Sequence, residues 1–147
     1  GICCLRTGIP DISENITVSS IVGTFLEHSR IFYFYNDGDE DVYMGSADWM
    51  PRNLDRRVEV VFPVEDPDIR EEAKHILQVG MADNLKAYYL QADGTYERKD
   101  RRGQKSVGSQ MTFCEEAIKR SREAADKENK DTYGGRLFTP AKAPDNE

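Results

Sequence analysis

The sequence predicts a single layered α/β domain in which helices flank a mixed β-sheet. Short runs rich in aromatic and β-branched residues alternate with longer stretches of helical periodicity, and turn-forming residues separate most of these runs. The predicted order is a strand, a helix, three strands, a helix, a strand pair and a last helix. Such an order is typical of a domain whose helices cover a sheet. With 147 residues, the chain is long enough for one hydrophobic core.

The first predicted elements are a strand at residues 1–5 and, after a loop, a short helix that Ser19 or Ser20 would cap. Four apolar residues of this helix have the i, i+1, i+4, i+5 spacing of a helical stripe. They are Ile21, Val22, Phe25 and Leu26. Because a hydrophobic strand at the very start would leave an unprotected edge, we expect the chain to be a piece of a larger protein.

Residues 26–59 form the stretch around which the chain is organised. An aromatic run at residues 31–35, a turn at 36–39 and a second run at 42–49 predict a β-hairpin. A third strand, predicted from Arg57 to Phe62, ends at Pro63. Polar residues are concentrated at the ends of these strands, so we expect them to meet at one rim of the sheet.

The second half of the chain contains two helices around a strand pair. Asp66 and Pro67 are a favourable helix start, and this helix should continue to about Gly80. A strand at residues 85–90 is turned back at residues 93–94 through residues 95–96. The predicted buried side of the first helix is Ile69, Ala73, Ile76 and Leu77.

The last helix should start at about Ser106 or Ser109. Its predicted buried side is Met111, Cys114, Ala117 and Ile118. From Asp131 the chain is rich in glycine, proline and charge, so disorder is expected there. The predicted organisation is a domain at residues 1–129 and a disordered tail at residues 130–147.

Composition excludes several classes of protein. A net charge of −7 argues against broad nucleic-acid binding, which needs a positive field over a large face. No apolar run approaches the ~20 residues that span a bilayer, and no secretory signal begins the sequence. Three irregularly spaced cysteines are too few for a disulfide framework or a zinc site. A reducing cytoplasm is the expected compartment.

The polar residues of the central stretch predict a phosphate site. Arg30 lies two residues after His28 and so on the same face of an extended strand. Gly45 ends the next strand, where a missing side chain would let an anion approach backbone N–H groups. Arg57 and Glu59 are expected to share one face of the third strand. A histidine can act as nucleophile or proton donor, arginines neutralise phosphate oxygens, and a glutamate can fix the imidazole tautomer. His75, in a helix beside apolar residues, is expected to be structural.

These residues resemble a known family. The strings that carry the resemblance are His28-Ser29-Arg30, Gly45-Ser46-Ala47-Asp48 and Arg57-Val58-Glu59. They resemble the second histidine-containing half of the phospholipase D-like superfamily. The longer stretches at residues 20–30 and 45–59 are similar to the carboxy-terminal domain of bacterial polyphosphate kinases, and the likeness extends to about Glu116.

The chain departs from the superfamily's phosphodiesterase pattern at three positions. Arg30 replaces its lysine, Tyr35 its aspartate and Asp48 its asparagine. These departures are those of the kinase family, and they argue against phospholipase or nuclease activity.

The resemblance implies a phospholipase D-like fold and a role in a polyphosphate kinase. Such an enzyme moves the terminal phosphate of ATP reversibly to polyphosphate, through a phosphohistidine in a preceding domain and with Mg²⁺. In this chain the implied catalytic residues are His28 and Glu59, and the implied ATP- or phosphate-binding residues are His28, Arg30 and Arg57. No metal ligand is expected in this chain, because the magnesium-holding arginines belong to the missing domain. The isolated piece is expected to be inactive.

A basic segment follows the strand pair, and its role is left open. Its candidate polyphosphate contacts are Arg98, Arg101, Arg102 and Lys105. They would line a route for a polyanion, or they are the solvated tip of a hairpin.

The expected partners are ATP or ADP, polyphosphate and the missing upstream domains, and the intact protein is expected to be a homo-oligomer. No nucleic acid and no transmembrane segment are expected, and peripheral attachment to a membrane stays open. Two alternatives to the kinase also stay open: a phospholipase D-like phosphodiesterase half-site, and a non-catalytic polyphosphate-binding module.

Overall fold

The computed structural model describes residues 3–128, and its strands form two three-stranded sheets. The strands are β1 (Ser19–Ile21), β2 (Ile31–Phe34), β3 (Asp41–Gly45), β4 (Val61–Pro63), β5 (Ala87–Leu90) and β6 (Tyr96–Arg98). The helices are α1 (Pro51–Arg56), α2 (Pro67–Ala82) and α3 (Ser109–Glu128). The chain divides into two units, Gly1–Thr112 and Phe113–Glu147, and both sheets lie in the first.

The α/β class is confirmed, but the strands do not form one mixed sheet. One sheet has the order β1-β5-β6 and the other β2-β3-β4, and all pairings among the described strands are antiparallel. Two of these pairs are hairpins closed by short turns. A short connection permits only antiparallel pairing, whereas parallel pairing needs a long crossover.

The predicted central hairpin is confirmed in position and turn. β2 pairs with β3 from Ile31 opposite Met44 to Phe34 opposite Asp41. A 3-10 turn at Asn36–Gly38 connects the two strands. Asn36 and Asp37 adopt positive φ angles of 46° and 55°, which asparagine and aspartate tolerate better than most residues. The turn residues therefore specify where the hairpin reverses.

Helix α2 covers one face of the β2-β3-β4 sheet and starts where the sequence predicts. The Asp66 side chain caps it by accepting from the backbone N–H groups of Asp68 and Ile69 at 2.9 and 3.0 Å. Ala73 packs in a buried cluster with Val42 of β3 and with Val64, which directly follows β4. Ile69, predicted to be buried, is 53% exposed because it lies in the first turn, away from that cluster.

Two predictions near the amino terminus are wrong. The predicted helix at residues 19–26 begins instead as strand β1, which pairs Ser19 with Tyr89 and Ile21 with Ala87. Phe25 and Leu26 are exposed, so the helical spacing has no buried partner to stabilise it. In the predicted first strand, residues 3–5 have no regular structure, and residues 1 and 2 lie outside the described residues.

Helix α1 was not predicted, and its position shortens the third strand of the central stretch. Pro51 stands in the first turn of this six-residue helix, where proline is favoured. The strand predicted from Arg57 begins only at Val61, and residues 57–60 are an irregular link.

Helix α3 begins at Ser109, as predicted, but three of the four residues on its predicted buried side are exposed, and Cys114 is half-buried. Met111 is 61% and Ile118 is 52% exposed, and Ala117 is exposed as well. Apolar spacing indicates a stripe on a helix, but it does not supply the surface that would cover the stripe. The predicted tail at residues 130–147 lies outside the described residues.

Asp83 joins the end of α2 to the starts of β5 and α3. Its carboxylate accepts from the N–H groups of Leu85 and Lys86 at 2.9 and 2.8 Å. It also accepts from the N–H and hydroxyl of Ser109 at 2.8 and 3.0 Å. Burial alone would raise the pKa of Asp83, but these hydrogen bonds to the carboxylate outweigh it and lower the pKa.

Among residues 3–128, no helix combines the length and the apolar character that a bilayer crossing requires. The three cysteines are free thiols.

We expect Asp83→Asn to destabilise the fold by about 2–4 kcal/mol, since an amide presents two N–H donors where four donors now converge on a carboxylate. The measurement is urea unfolding followed by the fluorescence of Trp49, the one tryptophan of the chain.

The pH dependence provides a further check. A lowered pKa means that Asp83 stabilises the fold above its unfolded pKa of about 3.9, and that this contribution is lost as pH falls through the folded pKa. The difference in free energy of unfolding between wild type and Asp83→Asn should therefore be largest at pH 7 and shrink below about pH 4. Asp100→Asn is the matched control, because the exposed Asp100 carboxylate makes local contacts, an ion pair with the Arg102 side chain and a hydrogen bond from the Arg102 N–H, and does not join distant elements. An equal loss of stability in Asp83→Asn and Asp100→Asn would contradict the prediction.

Candidate functional site

Three side chains meet at one rim of the β2-β3-β4 sheet. His28 and Arg30 precede β2 and Asp48 follows β3, and antiparallel pairing brings those two strand ends together. The rim is tied by the Gly45 N–H, which donates to the Arg30 carbonyl at 3.1 Å. Arg30 Nε donates to Asp48 Oδ1 at 2.8 Å, and Arg30 Nη2 lies 2.5 Å from His28 Nε2.

The charges of this cluster are mutually stabilised while the imidazole stays accessible. The hydrogen bond from Arg30 lowers the pKa of Asp48, and partial burial opposes it. The same bond raises the pKa of Arg30, and the field of Glu59 adds to that effect. Side-chain exposure is 64% for His28 but 20% for Arg30 and 29% for Asp48. Of the three, His28 is therefore the group that an incoming ligand reaches most readily.

Glu59 belongs to a second group at the same rim. Its Oε2 accepts from the Ser46 hydroxyl at 2.5 Å, and its Oε1 accepts from Asn53 Nδ2 at 3.2 Å. The Ser46 oxygen in turn accepts from the Val60 N–H at 3.0 Å. Within the described residues, the Glu59 carboxylate is hydrogen-bonded to Ser46 and Asn53, whereas the carboxylate beside His28 is that of Asp48.

Gly45 is required for close packing rather than for anion binding. Its N–H donates to the Arg30 carbonyl, and the N–H of Ser46 donates to the Val60 carbonyl at 3.0 Å. Neither donor is free to hold an anion, so that part of the prediction is wrong. A Cβ at position 45 would lie 3.1 Å from Val61 Cγ2 and 3.2 Å from the Val60 carbonyl oxygen.

An open cleft of about 630 Å³ runs along the rim. The Arg30–Asp48 pair forms its polar part. Phe32 and Trp49 form its aromatic part, with ring centroids 5.9 Å apart and planes 29° from parallel. The cleft therefore combines a charged wall with an apolar one beside His28.

The structure leaves the other predicted site residues apart from this cluster. Arg57 follows α1 and is exposed, and it has no hydrogen bond or ion pair within residues 3–128. Arg98 donates to the Leu85 carbonyl at 2.8 Å, in the other sheet. Arg102 is paired with Asp100 at 2.7 Å. Within residues 3–128, no hydrogen bond or ion pair connects the basic segment to His28.

Two residues at the rim were missed as site residues, Asp48 and Asn53. Asp48 follows Ser46 by two positions, a spacing that places both on one side of extended chain. That spacing is a usable signal for placing Asp48 at the rim, whereas its departure from the superfamily's asparagine says nothing about its contacts. Asn53 was missed because helix α1, which carries it, was not predicted.

The described residues do not fit a magnesium site. No group of three His, Cys, Asp or Glu side chains within residues 3–128 could hold a metal ion. The two rim carboxylates are engaged, Asp48 by Arg30 and Glu59 by Ser46 and Asn53.

Comparisons with known proteins agree on one family. Residues 1–110 match the family model described as polyphosphate kinase C-terminal domain 2. The chain is 56% identical over 119 residues to a polyphosphate kinase of Synechocystis sp., covering 80% of this chain and 16% of that protein. It is 48% identical over all 147 residues to one of Lactiplantibacillus plantarum, covering 20% of that protein.

A solved structure gives the same result. The chain is similar to the crystal structure of polyphosphate kinase from Porphyromonas gingivalis, with a TM-score of 0.72 and 39% identity over 89% of this chain and 19% of that one. The resemblance inferred from the residues is confirmed. The chain spans about a fifth or less of the length of the relatives it matches.

We expect Gly45→Ala to destabilise the fold by about 1–3 kcal/mol, because the added methyl group would press on the backbone of Val60. Unfolding in urea measures the change.

The control is Gly80→Ala, the same glycine-to-alanine substitution in helix α2. At Gly80 the new Cβ would meet only Ile21 Cδ1, at 3.9 Å, and alanine favours a helix over glycine by up to about 1 kcal/mol. Gly80→Ala should therefore leave stability unchanged or raise it. If Gly45→Ala were equally benign, close packing at the rim would be refuted.

Proposed function

The chain belongs to the polyphosphate kinase family, and from that premise we propose that the protein containing it transfers the terminal phosphate of ATP reversibly to the end of a polyphosphate chain. The proposal includes a phosphohistidine in a preceding domain, to which this chain presents the second half of the site. The relatives are named polyphosphate kinases, so the phosphodiesterase alternative is not favoured.

The observation that carries the proposal is an exposed imidazole supported by a guanidinium. Arg30 Nη2 lies 2.5 Å from His28 Nε2, while most of the imidazole faces solvent. A histidine so placed can contact a phosphate or nucleotide that enters between two domains, and can donate or accept a proton there. We assign His28 this role.

Arg57 and Glu59 have complementary proposed roles. Arg57 is exposed and has no hydrogen bond or ion pair within residues 3–128, which leaves its planar guanidinium available for phosphate oxygens. Glu59 is held at the rim by Ser46 and Asn53. Its proposed role is to orient the histidine of the preceding domain, because its described contacts do not include His28.

Magnesium, nucleotide binding, phosphorylation, a cytoplasmic location and homo-oligomeric assembly are parts of the same proposal for the whole enzyme. Bound Mg²⁺ would neutralise charge on the transferring phosphate. Its ligands would come from outside this chain, since the residues described here do not fit them.

In the full-length enzyme, we expect His28→Ala to lower the rate of polyphosphate synthesis by at least about 100-fold, because an acid–base or phosphate-contacting group is lost. The measurement is phosphate transfer from ATP labelled at its terminal phosphate into polyphosphate.

His75→Gln is the control, since His75 is a half-buried residue of α2. It should retain most of the activity. Full synthesis by His28→Ala would reject the role given to His28, and loss of activity in both variants would show that the assay does not report on the site.

The basic segment provides a second test. Arg101 and Lys105 are exposed, and their side chains have no ion pair within residues 3–128, whereas Arg102 is paired with Asp100. If the segment guides polyphosphate, Arg101→Gln with Lys105→Gln should raise the KM for polyphosphate. The effect should diminish with added salt, because screening weakens exposed charges.

Arg102→Gln is the matched control, because that charge is already compensated, and its KM should change less. An unchanged KM in the double variant at low salt would identify the segment as a solvated hairpin tip.

A further inference from the structure

We propose that Arg30 and Asp48 form a positioning pair that sets the orientation and tautomer of His28, and that Arg30 is not itself a phosphate ligand. This role rests on the proposed function, since it concerns how the same site works. It also revises the phosphate-binding role that the resemblance implied for Arg30.

The geometry of the guanidinium is the first support. Arg30 Nε donates to Asp48 Oδ1 at 2.8 Å, and Nη2 of the same group lies 2.5 Å from His28 Nε2. A guanidinium is planar, and its N–H directions are fixed relative to each other. Once Asp48 holds the Nε edge, the direction in which Nη2 can donate is limited. Asp48 therefore acts on His28 through Arg30.

The same contacts select one tautomer of the imidazole. Arginine is only a donor, so Nε2 of His28 must accept and must carry a lone pair. The Nδ1 atom is farther from Arg30 Nη2, at 3.5 Å. His28 Nε2 also lies 3.3 Å from Asp48 Oδ1, and a hydrogen bond there would need a proton on Nε2. The shorter contact, to Arg30 Nη2, requires the lone pair of Nε2 instead. With Nε2 accepting from Arg30, the ring proton lies on Nδ1, and that N–H can donate a hydrogen bond to a phosphate oxygen.

The charge of Arg30 is compensated before any phosphate arrives. Asp48 lies against it, and the field of Glu59 also acts on it. Only 20% of the Arg30 side chain is exposed. Arg57, in contrast, is exposed and has no ion pair within residues 3–128. A phosphate therefore has a more available cation in Arg57 than in Arg30.

The substitution Arg30→Lys separates the effect of positioning from the effect of charge. Lysine keeps the positive charge, but its single ammonium lacks the fork that would hold Asp48 with one nitrogen and donate to His28 from another. If Arg30 acted as a cation for phosphate, Arg30→Lys would keep most of its effect. If Arg30 positions His28, Arg30→Lys should be nearly as harmful as loss of Asp48.

The kinetic experiment uses the full-length enzyme and three variants: Arg30→Lys, Asp48→Asn and the double substitution. We expect each single variant to lower kcat by about 10- to 100-fold, the loss typical of a misplaced catalytic group. The KM for ATP should stay near that of wild type, because little ground-state binding is removed. The double variant should be no worse than the poorer single variant, because the two residues act as one unit.

A preserved kcat in Arg30→Lys would overturn the proposal, whether or not the KM for ATP changes, because it would show that position 30 supplies charge rather than the placement of His28. Additive losses in the double variant would overturn it too, because they would show that the two residues act independently. Asp39→Asn is the matched control at the opposite end of the β2–β3 hairpin, where the side chain is exposed. It should match wild type in every parameter.

A second readout does not require enzyme activity. Diethyl pyrocarbonate modifies the unprotonated nitrogen of histidine, and peptide mass spectrometry reports its rate at His28, with His75 as the internal reference. In wild type, the donation from Arg30 to Nε2 should slow the reaction at His28. Asp48→Asn and Arg30→Lys should each accelerate it severalfold, while the rate at His75 stays unchanged.

An equal rate at His28 in wild type and Asp48→Asn would overturn the positioning role even if the protein makes polyphosphate. Conversely, the wild-type protein could make no polyphosphate while both variants show the expected acceleration at His28. That result would refute the proposed function and leave the positioning pair intact.

Discussion

The pairing of β2 with β3 is the constraint on which the site depends. Ile31 lies opposite Met44, and the Gly45 N–H donates to the Arg30 carbonyl one step beyond the strand. This register places the residues before β2 beside those after β3. A shift of one residue would turn every side chain of a strand to the other face, so the rim exists only in this alignment. Gly45 permits it because a larger residue would press on the Val60 backbone.

The rim is a site whose charges are mostly satisfied internally. Arg30 and Asp48 neutralise each other, and Glu59 is held by Ser46 and Asn53. What remains accessible is the imidazole of His28 and, after α1, the guanidinium of Arg57. In a chain with a net charge of −7, the phosphate binding proposed for this site would depend on a few placed groups rather than on a broad positive field.

Asp48 and Asp83 show how similar shifts in pKa arise from different surroundings. Both carboxyls have a lowered pKa. At Asp83 the cause is a set of N–H and hydroxyl donors that overcomes burial, and the result is a joint between α2, β5 and α3. At Asp48 the main cause is one guanidinium in a partly open cleft. Thus the first carboxylate holds secondary structure together, and the second lies where a ligand can approach.

The elements that could be predicted from the sequence are those whose signals are local. The Asn-Asp-Gly turn and its flanking aromatic runs specify the central hairpin, and the Asp66-Pro67 start specifies α2. The proximity of the His28 and Arg30 side chains could also be predicted, because residues two apart in an extended chain lie on the same side. Only the tertiary structure decided that Ser19–Ile21 is a strand, since β5 is its partner 66 to 70 residues away. It also decided that Glu59 bonds Ser46 and Asn53 and that Asp48 lies beside His28. The physical reason is that periodicity and turn chemistry describe one segment at a time, whereas strand partners, covered faces and ion pairs depend on which distant segments come together.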